Sequence, residues 1–415
     1  MKIKIPYGKN EKLEVQVEDK FVSQIAETNE VSKNNESEIL QNALSNPYNS
    51  VKLDEFLEDA NDVLIIVNDG TRPTPTKKVL EIIYEKIKVK NVKFLIATGT
   101  HRGPTEEEYS YIFGRFYEEF KDAIFVHDAK KEQELINIGK TKSGTEIIIN
   151  KLAVESDKII VIGSVEPHYF AGYTGGRKGI IPGISAYKTI EQNHKFAMSS
   201  ESEGLKLKDN PVHEDLIDGL SKFKKDIFSI MTILDKNDNI YFATSGNIID
   251  SLLLATEKAN DVFAVNIKEK ADIVVAVAEF PMDLDLYQSL KAVENGKLAL
   301  KKDGIFILIS KCNDGIGTKA FEKILENSSG NHKEILSKKN VEYKLGYHIL
   351  YRKAQLRTWA KLFSVTDLPN EILGKIFFQQ FNSPQTAIDE AIKVKGKNSK
   401  ILFLMNATMI TPIIE

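Results

Sequence analysis

The sequence has little cysteine, no long apolar run and no excess of positive charge, and each of these features would place a protein in a particular class. It contains one cysteine, Cys312, among 415 residues, which excludes an internal disulfide and favours a reducing compartment. No run reaches the roughly 18 apolar residues of a membrane span, and Met1 to Tyr7 lack the apolar core of a signal peptide. The formal charge of -3, with both signs interspersed, provides no basic face for nucleic acid. We expect a cytoplasmic protein without membrane or nucleic-acid partners.

The composition is that of a globular protein with two cores. At 415 residues the chain exceeds the size at which one hydrophobic core keeps growing. Apolar residues make up 42% and charged residues 28% of the chain, which is ordinary for globular domains. The pattern of apolar runs starts again after about residue 265, so we expect an amino-terminal domain over 1–265 and a carboxyl-terminal domain over 266–415.

Short apolar runs alternate with helical patterns in both halves. The predicted strands are 63–67, 92–97, 124–128, 146–149 and 158–162 in the first half, then 273–278 and 304–309. The predicted helices include 76–89, one opened by a capping box at Thr105–Glu108, and others near 286–301, 317–327 and 383–394. This alternation predicts two α/β domains with largely parallel sheets and an active-site cleft between them.

The stretch 164–183 carries the most unusual chemistry. It places His168, Arg177 and Lys178 among five glycines and two prolines, which fix an irregular backbone that can approach a ligand closely. A segment that only connects two elements rarely uses so many special residues. We therefore interpret this stretch as part of a binding or catalytic site.

Three other loops follow predicted strands and carry polar groups. Asp69 and Arg72 follow the first strand, His101 follows the second, and Gln288 and Lys291 follow a strand of the second domain. Parallel strands bring such loops to one carboxyl edge, where open α/β sheets bind ligands. Two histidines there can act as acid and base near neutral pH.

Each motif alone has a structural alternative. Arg72 could belong to a capped turn, His101 could be structural, and Gln288 with Lys291 could form an ordinary polar helix face. His194 alone would be a surface histidine, and nothing chemically suggestive surrounds the remaining ones, His127, His213, His332 and His348. From the residues alone, we infer a two-domain α/β enzyme with an anionic small-molecule site that uses two histidines, a lysine and an arginine.

The ordered set of motifs resembles the nickel-dependent lactate racemase family of 2-hydroxyacid racemases and epimerases. The matching segments are Asp69-Gly-Thr-Arg-Pro-Thr, Gly99-Thr-His-Arg-Gly, His168 ten residues before Lys178 within Gly-Gly-Arg-Lys, His194, and Tyr287-Gln-Ser-Leu-Lys. They spread over some 220 residues, and together they are far more specific than any one of them.

The resemblance implies a nickel pincer nucleotide, a pyridinium mononucleotide with sulfur arms, bound covalently to Lys178. It implies that His194 is the protein ligand to nickel and that His101 and His168 are the acid-base pair. It further implies that accessory proteins make the cofactor and that the substrate is a small 2-hydroxyacid. The implied cofactor-binding residues are Lys178, Asp69, Thr71, Arg72 and Trp359, and the implied substrate-binding residues are Arg72, Tyr287, Gln288 and Lys291.

The expected reaction is the interconversion of L- and D-lactate by proton-coupled hydride transfer. Malate or a sugar acid is an alternative substrate, since Arg102 or Arg177 could supply a further cation to a second carboxylate. A non-catalytic protein that binds an organic anion or nucleotide is an alternative from another class. A metal-dependent dehydratase or lyase is a third.

Overall fold

The computed structural model describes residues 1–338 and 343–414. The strands are β1 (Lys2–Tyr7), β2 (Glu11–Gln16), β3 (Val22–Ala26), β4 (Asp62–Asn68), β5 (Asn91–Ala97), β6 (Ile124–Val126), β7 (Leu135–Lys140), β8 (Glu146–Asn150), β9 (Lys158–Ser164), β10 (Pro167–His168), β11 (Gly172–Tyr173), β12 (Ile227–Leu234), β13 (Ile240–Asn247), β14 (Ala264–Ile267), β15 (Ala271–Val277), β16 (Leu300–Ile309), β17 (Lys361–Val365), β18 (Gln379–Gln380), β19 (Ile401–Leu404) and β20 (Thr411–Ile414).

The helices follow the same chain order. They are α1 (Glu36–Ser45), α2 (Leu53–Phe56), α3 (Thr76–Ile87), α4 (Glu106–Phe113), α5 (Tyr117–Phe120), α6 (Lys151–Glu155), α7 (Tyr187–His194), α8 (Pro211–Leu220), α9 (Asp250–Phe263), α10 (Leu286–Gly296), α11 (Lys319–Glu326), α12 (His332–Ser337), α13 (Tyr347–Arg357), α14 (Asn370–Lys375) and α15 (Pro384–Lys395). None of the described helices has the length and apolar character that crossing a membrane requires.

The chain forms two compact units. The central unit contains Glu30–Val262, and the terminal unit combines Met1–Asn29 with the chain from Phe263 onward. The expected division into 1–265 and 266–415 is therefore corrected at its amino-terminal end. The physical reason is strand pairing, because β3 pairs in parallel with β19 and completes the sheet of the terminal unit.

The central unit is built on a six-stranded sheet with the order β13-β12-β9-β4-β5-β6. All neighbours are parallel except the edge strand β13. Successive residues of β4 face opposite cores: Ile65 belongs to the core that includes α3, whereas Leu64 and Ile66 belong to the core that includes α8. Burial on both faces explains why this strand is a continuous apolar run in the sequence.

The terminal unit contains a six-stranded parallel sheet with the order β18-β17-β16-β15-β19-β3. Helices α10, α11 and α13 contribute to the core on one face, and α15 with the β1-β2 hairpin contributes to the core on the other. The prediction of two α/β domains with largely parallel sheets is confirmed. The run at 146–149 differs from expectation, because it pairs antiparallel with β7 outside the six-stranded sheet.

Candidate active site

The loops after β4 and β5 bring Asp69 and His101 together. Asp69 Oδ2 lies 2.8 Å from His101 Nδ1, and Asp69 Oδ1 accepts a 2.6 Å hydrogen bond from the Thr71 hydroxyl. The Asp69 side chain is buried, whereas that of His101 is 40% exposed. The carboxylate is therefore fixed inside the protein, and it orients an imidazole that reaches solvent.

Asp69 is held in its charged form. Burial alone would raise its pKa, but the hydrogen bond and charge of His101, the Thr71 hydroxyl and the charge of Arg72 outweigh burial and lower the pKa. An ionised carboxylate can only accept, so His101 donates its Nδ1–H to Asp69. The Nε2 lone pair of neutral His101 is then the one available to take a proton, as in other carboxylate-histidine pairs.

A pocket lies at this edge of the sheet in the central unit. Its volume is about 120 Å³, and its lining includes Asp69, Arg72, His101 and Lys178. Thr71 is exposed, whereas Thr74 is buried and donates a 3.0 Å hydrogen bond to the Ser164 hydroxyl. The pocket thus contains two cationic side chains beside the Asp69–His101 pair, a composition suited to an anionic ligand.

The ring of Phe170, in the glycine-rich stretch, contacts three of the candidate site residues. The His168 and His194 rings lie 4.4 Å and 5.0 Å from it, centroid to centroid, and the Lys178 ammonium lies 5.7 Å from its centroid. Strands β10 and β11 form the small hairpin that carries Phe170 at its turn. The backbone N–H of Ala171 donates to His168 Nδ1 at 3.3 Å, so neutral His168 carries its proton on Nε2.

His194 lies at the carboxyl end of α7, in a largely apolar environment. Burial, and then the positive charge of Lys178, lower the pKa of His194 to about 3. The imidazole is therefore neutral at physiological pH, which is the form that binds metals. The prediction of a helix around His194 is confirmed, but the expectation of a surface position for an isolated histidine is not.

Lys178 connects the two groups of residues. It lines the pocket with His101 and Arg72, and it also lies over the Phe170 ring that His168 and His194 contact. The central unit therefore brings together four residues that are far apart in sequence, His101, His168, Lys178 and His194. Within the described residues, no group of three or more His, Cys, Asp or Glu side chains could hold a metal ion.

In the terminal unit, Tyr287, Gln288 and Lys291 lie in the first turns of α10. Asp285 caps this helix by accepting a 2.8 Å hydrogen bond from the backbone N–H of Gln288. The Gln288 Oε1 atom is buried and has no hydrogen-bond partner among the described residues. Such an atom is costly unless a ligand or water satisfies it, which favours a binding role for Gln288.

The positions of three further residues bear on the roles expected for them. Trp359 precedes β17, and its carbonyl accepts a hydrogen bond from the Asp303 backbone near the start of β16. It therefore lies at the amino-terminal edge of the terminal unit's sheet, whereas Gln288 follows the carboxyl end of β15, and the cofactor role of Trp359 stays a prediction. Arg177 is fully buried and Arg102 pairs with Glu108 at 2.7 Å, so both guanidinium groups already have partners within the central unit.

Comparison with known proteins identifies the family. The model of the lactate racemase N-terminal domain matches residues 7–206, and that of the lactate racemase C-terminal domain matches residues 266–411. The chain belongs to the lactate racemase family. It is accordingly an enzyme, an isomerase of the racemase type.

Two lactate racemases illustrate the relationship. That of Thermoanaerobacterium thermosaccharolyticum is 32% identical over 404 residues, covering 94% of this chain and 93% of the relative. That of Lactiplantibacillus plantarum is 30% identical over 331 residues, covering 77% of each chain. Both of these lactate racemases therefore align with this chain across both predicted domains.

Solved structures agree with this relationship. The structure of the lactate racemase apoprotein from Thermoanaerobacterium thermosaccharolyticum matches with a TM-score of 0.90 at 31% identity and covers 100% of both chains. A protein from Thermotoga maritima matches with a TM-score of 0.68 at 16% identity, covering 91% of this chain and 98% of that chain. The second similarity concerns the fold alone.

Sequence reasoning missed the contribution of α8. Asn210 and His213, at the start of this helix, contact the stretch that carries Phe170 and Lys178. The dipeptide Asn210-Pro211 is a typical helix start, with an N-cap followed by proline at the first helical position. That signal could have located the helix, but nothing in the sequence indicates what the helix contacts.

Proposed function

We propose that this enzyme interconverts L- and D-lactate with a nickel pincer nucleotide bound covalently to Lys178. The observation that carries the proposal is the position of Lys178, between the pocket containing His101 and the Phe170 ring contacted by His168 and His194. These are the residues to which the family resemblance assigns the tether, the metal ligand and the acid-base pair.

The residues present fit a metal that arrives with its own donors. His194 offers a neutral imidazole beside Lys178, and the described residues offer no cluster of three protein ligands. Sulfur donors from the nucleotide would supply the remaining ligands. When bound, the cofactor supplies a hydride acceptor, which no protein side chain can provide.

The two histidines would handle the hydroxyl proton of the substrate. Asp69 fixes the ring of His101 and leaves Nε2 as the proton acceptor, whereas the Ala171 N–H bonded to Nδ1 of His168 leaves the ring proton on Nε2. In their neutral forms the pair therefore offers one proton acceptor, His101 Nε2, and one hydrogen-bond donor, the Nε2–H of His168. Racemisation needs both histidines, because the residue that acts as the base in one direction acts as the acid in the reverse direction.

The substrate offers a carboxylate, which needs a cation or donor, and a hydroxyl, which needs an acceptor. Arg72 lines the pocket of the central unit and suits the carboxylate, whereas Gln288 presents an oxygen without a hydrogen-bond partner among the described residues, which suits the hydroxyl. The substrate-binding roles of Arg72, Tyr287, Gln288 and Lys291 stay predictions, as do the cofactor contacts of Asp69, Thr71 and Arg72. The cytoplasmic location and the accessory biosynthetic proteins are likewise predictions.

Lactate is favoured over a dicarboxylate by two positions in the central unit. Arg177 directs its donors at backbone carbonyls and His213, and Arg102 forms a two-armed pair with Glu108. Each cation would have to leave these partners to bind a second carboxylate. Malate and sugar acids remain the alternative 2-hydroxyacids to be tested against lactate.

Intact-mass analysis of the protein, produced together with the accessory enzymes, tests the cofactor. We expect an adduct that maps to Lys178, stoichiometric nickel and racemisation of lactate, all of which should be missing in Lys178→Arg. Lys188→Arg is the matched control, because this exposed lysine on α7 pairs with Glu146 and lies outside the pocket lining. An adduct on another residue, or full activity of Lys178→Arg, would refute the tether.

Deuterium at C2 of the substrate separates the proposed reaction from its rivals. Hydride return conserves much of the label in the racemised product, whereas a lyase that abstracts C2 hydrogen as a proton loses it to water. A non-catalytic binding protein would give no turnover, although it could still bind lactate. Either of those results would contradict the proposed reaction.

A further inference from the structure

Arg177 is the largest fully buried side chain of the described residues, and it lies next to Lys178. Its Nη2 donates to the carbonyl of Ala171 at 2.9 Å, and its Nη1 donates to those of Thr174 and Gly175 at 3.2 Å and 3.4 Å. The guanidinium thus fills the inside of the 171–178 loop. It binds carbonyls that the irregular backbone would otherwise leave unsatisfied.

The fourth contact of Arg177 comes from another element. Its Nε donates to His213 Nδ1 on α8 at 3.1 Å, and no carboxylate of the described residues lies within ion-pair distance of the guanidinium. A buried cation without a counterion is costly. The imidazole therefore acts as a neutral acceptor, and burial together with the Arg177 charge lowers the pKa of His213 to about 3.

The same helix end also holds the hairpin of Phe170. The Asn210 amide donates to the carbonyl of Phe170 at 3.0 Å, while its oxygen accepts from the backbone N–H groups of Val212 and His213 at 3.0 Å and 3.3 Å. Asn210 is fully buried. The start of α8 therefore binds both ends of the loop, one through Phe170 and the other through Arg177.

The backbone position of Lys178 depends directly on the hydrogen bonds that Arg177 makes inside the loop. Its backbone N–H donates to the Gly175 carbonyl at 3.1 Å, which is also one of the acceptors of Arg177. Gly175 has a φ of +77°, a conformation that glycine adopts without strain, and a Cβ there would collide with Val165. The direction of the Lys178 side chain therefore follows from a loop whose interior is the Arg177 guanidinium.

We propose that Arg177 and His213 are positioning residues that hold the Lys178 amine over the Phe170 ring, in the orientation required for covalent attachment of the cofactor. This inference rests on the proposed function for its purpose, but the geometry that it asserts can be measured without cofactor. Neither residue is itself part of the pocket lining, and Arg177 touches that lining only through the backbone carbonyls of Thr174 and Gly175, so both act by holding the loop that carries Lys178.

The test is the rate at which an acetylating N-hydroxysuccinimide ester modifies Lys178 in the full-length protein made without accessory enzymes. Peptide mass spectrometry gives the rate, normalised to Lys393, whose side chain is 77% exposed in the terminal unit. His213→Phe keeps a ring of similar size but removes the acceptor. We expect it to release the loop and raise the Lys178 rate by about threefold or more, since local opening exposes the amine.

His213→Asn is the rescue variant, because its amide oxygen can accept from Arg177 where Nδ1 did. We expect its Lys178 rate to stay within about twofold of wild type, although the side chain is smaller. Equal rates for His213→Phe and wild type would overturn the proposal. So would a folded His213→Asn protein whose Lys178 rate rises as much as that of His213→Phe.

Circular dichroism establishes whether each variant is folded. If His213→Phe is unfolded, the Lys178 labelling rate of His213→Asn tests the inference. With the accessory enzymes present, the extent of adduct formation in intact mass should fall in His213→Phe and recover in His213→Asn. Failure of the proposed function would appear as no adduct in any protein, with the labelling difference intact. Failure of this inference would appear as unchanged labelling with a normal adduct.

Discussion

The hydrogen bonds of the two catalytic candidates favour different tautomers of their neutral rings. His101 donates from Nδ1 to Asp69, and His168 accepts at Nδ1 from a backbone N–H. A fixed carboxylate beside an imidazole selects the tautomer and stabilises the charged ring that forms on proton uptake. The charge on Asp69, rather than its shape, is therefore what His101 requires.

Asp69→Asn should reduce kcat/KM for lactate by roughly 100-fold, while the fold and the Lys178 adduct are retained. The amide keeps the side-chain size but can donate to His101 Nδ1, which would leave the proton on the wrong nitrogen. Steady-state racemisation followed by circular dichroism measures the loss. Glu108→Gln, the same chemical change at a carboxylate that pairs with Arg102, should have nearly normal activity; comparable losses in both variants would argue against a specific role for Asp69.

At the level of secondary structure, the site depends on how α8 begins. Asn210 both caps this helix and binds the Phe170 carbonyl, so one side chain fixes a helix start and the hairpin beside it. Asparagine is a common N-cap, but most caps are exposed and serve only the helix. A buried cap that serves a second element should contribute more to stability.

Asn210→Ala should lower the free energy of unfolding by about 2–3 kcal/mol, because it removes the cap and leaves buried carbonyls without a donor. Asn35→Ala is the matched control, since Asn35 caps α1 in the same way but is exposed. Its expected cost is about 0.5–1 kcal/mol. Urea titrations of both variants measure the difference, and equal costs would show that the contact with Phe170 contributes nothing.

Most individual elements could be predicted from the sequence, because the signals that define them are local. The run at 63–67 is strand β4, the pattern at 76–89 is helix α3, and Thr105 and Glu108 form both hydrogen bonds of the predicted capping box. The site residues at strand ends were predicted to meet for a similar reason, since parallel strands share an edge. His101 and Lys178 line one pocket as that argument requires.

The remainder could not be predicted because it depends on contacts between distant segments. Arg177 has the same appearance in the sequence whether it binds a substrate or three backbone carbonyls, and only the loop geometry decides between them. Asp69 was expected beside the cofactor, but its position against His101 depends on the spacing of two loops. The assignment of residues 1–29 failed for the same reason, because the partner of β3 lies near the end of the chain.

At the scale of the whole molecule, one buried histidine, His127, and two half-buried ones, His194 and His213, make stability depend on pH. Burial lowers the pKa of His127, and burial with neighbouring positive charge lowers those of His194 and His213 to about 3. In the unfolded chain each histidine titrates near 6.5. Between about pH 6.5 and 3 the unfolded state therefore binds more protons than the folded state, and stability falls as the pH is lowered.

The urea midpoint of the wild-type protein should accordingly decrease from pH 7.5 through pH 6 to pH 5, as followed by circular dichroism. His213→Asn removes one of the titrating groups and should decrease less steeply over the same range. The comparison uses the slope with pH, so any constant stability difference between the two proteins cancels. Parallel slopes for wild type and variant would contradict the assignment of His213 as a half-buried neutral group.

The pairing of β3 with β19 has a consequence for how the protein is made. The Ser23 hydroxyl donates to the carbonyl of Ile401, a separation of 378 residues. During synthesis on the ribosome, β3 emerges long before β19 and has no partner in this sheet until residues 401–404 have been translated. Residues 30–262 can mature in the meantime as an inserted unit, whereas the sheet that contains β3 can close only after β19 has been synthesised.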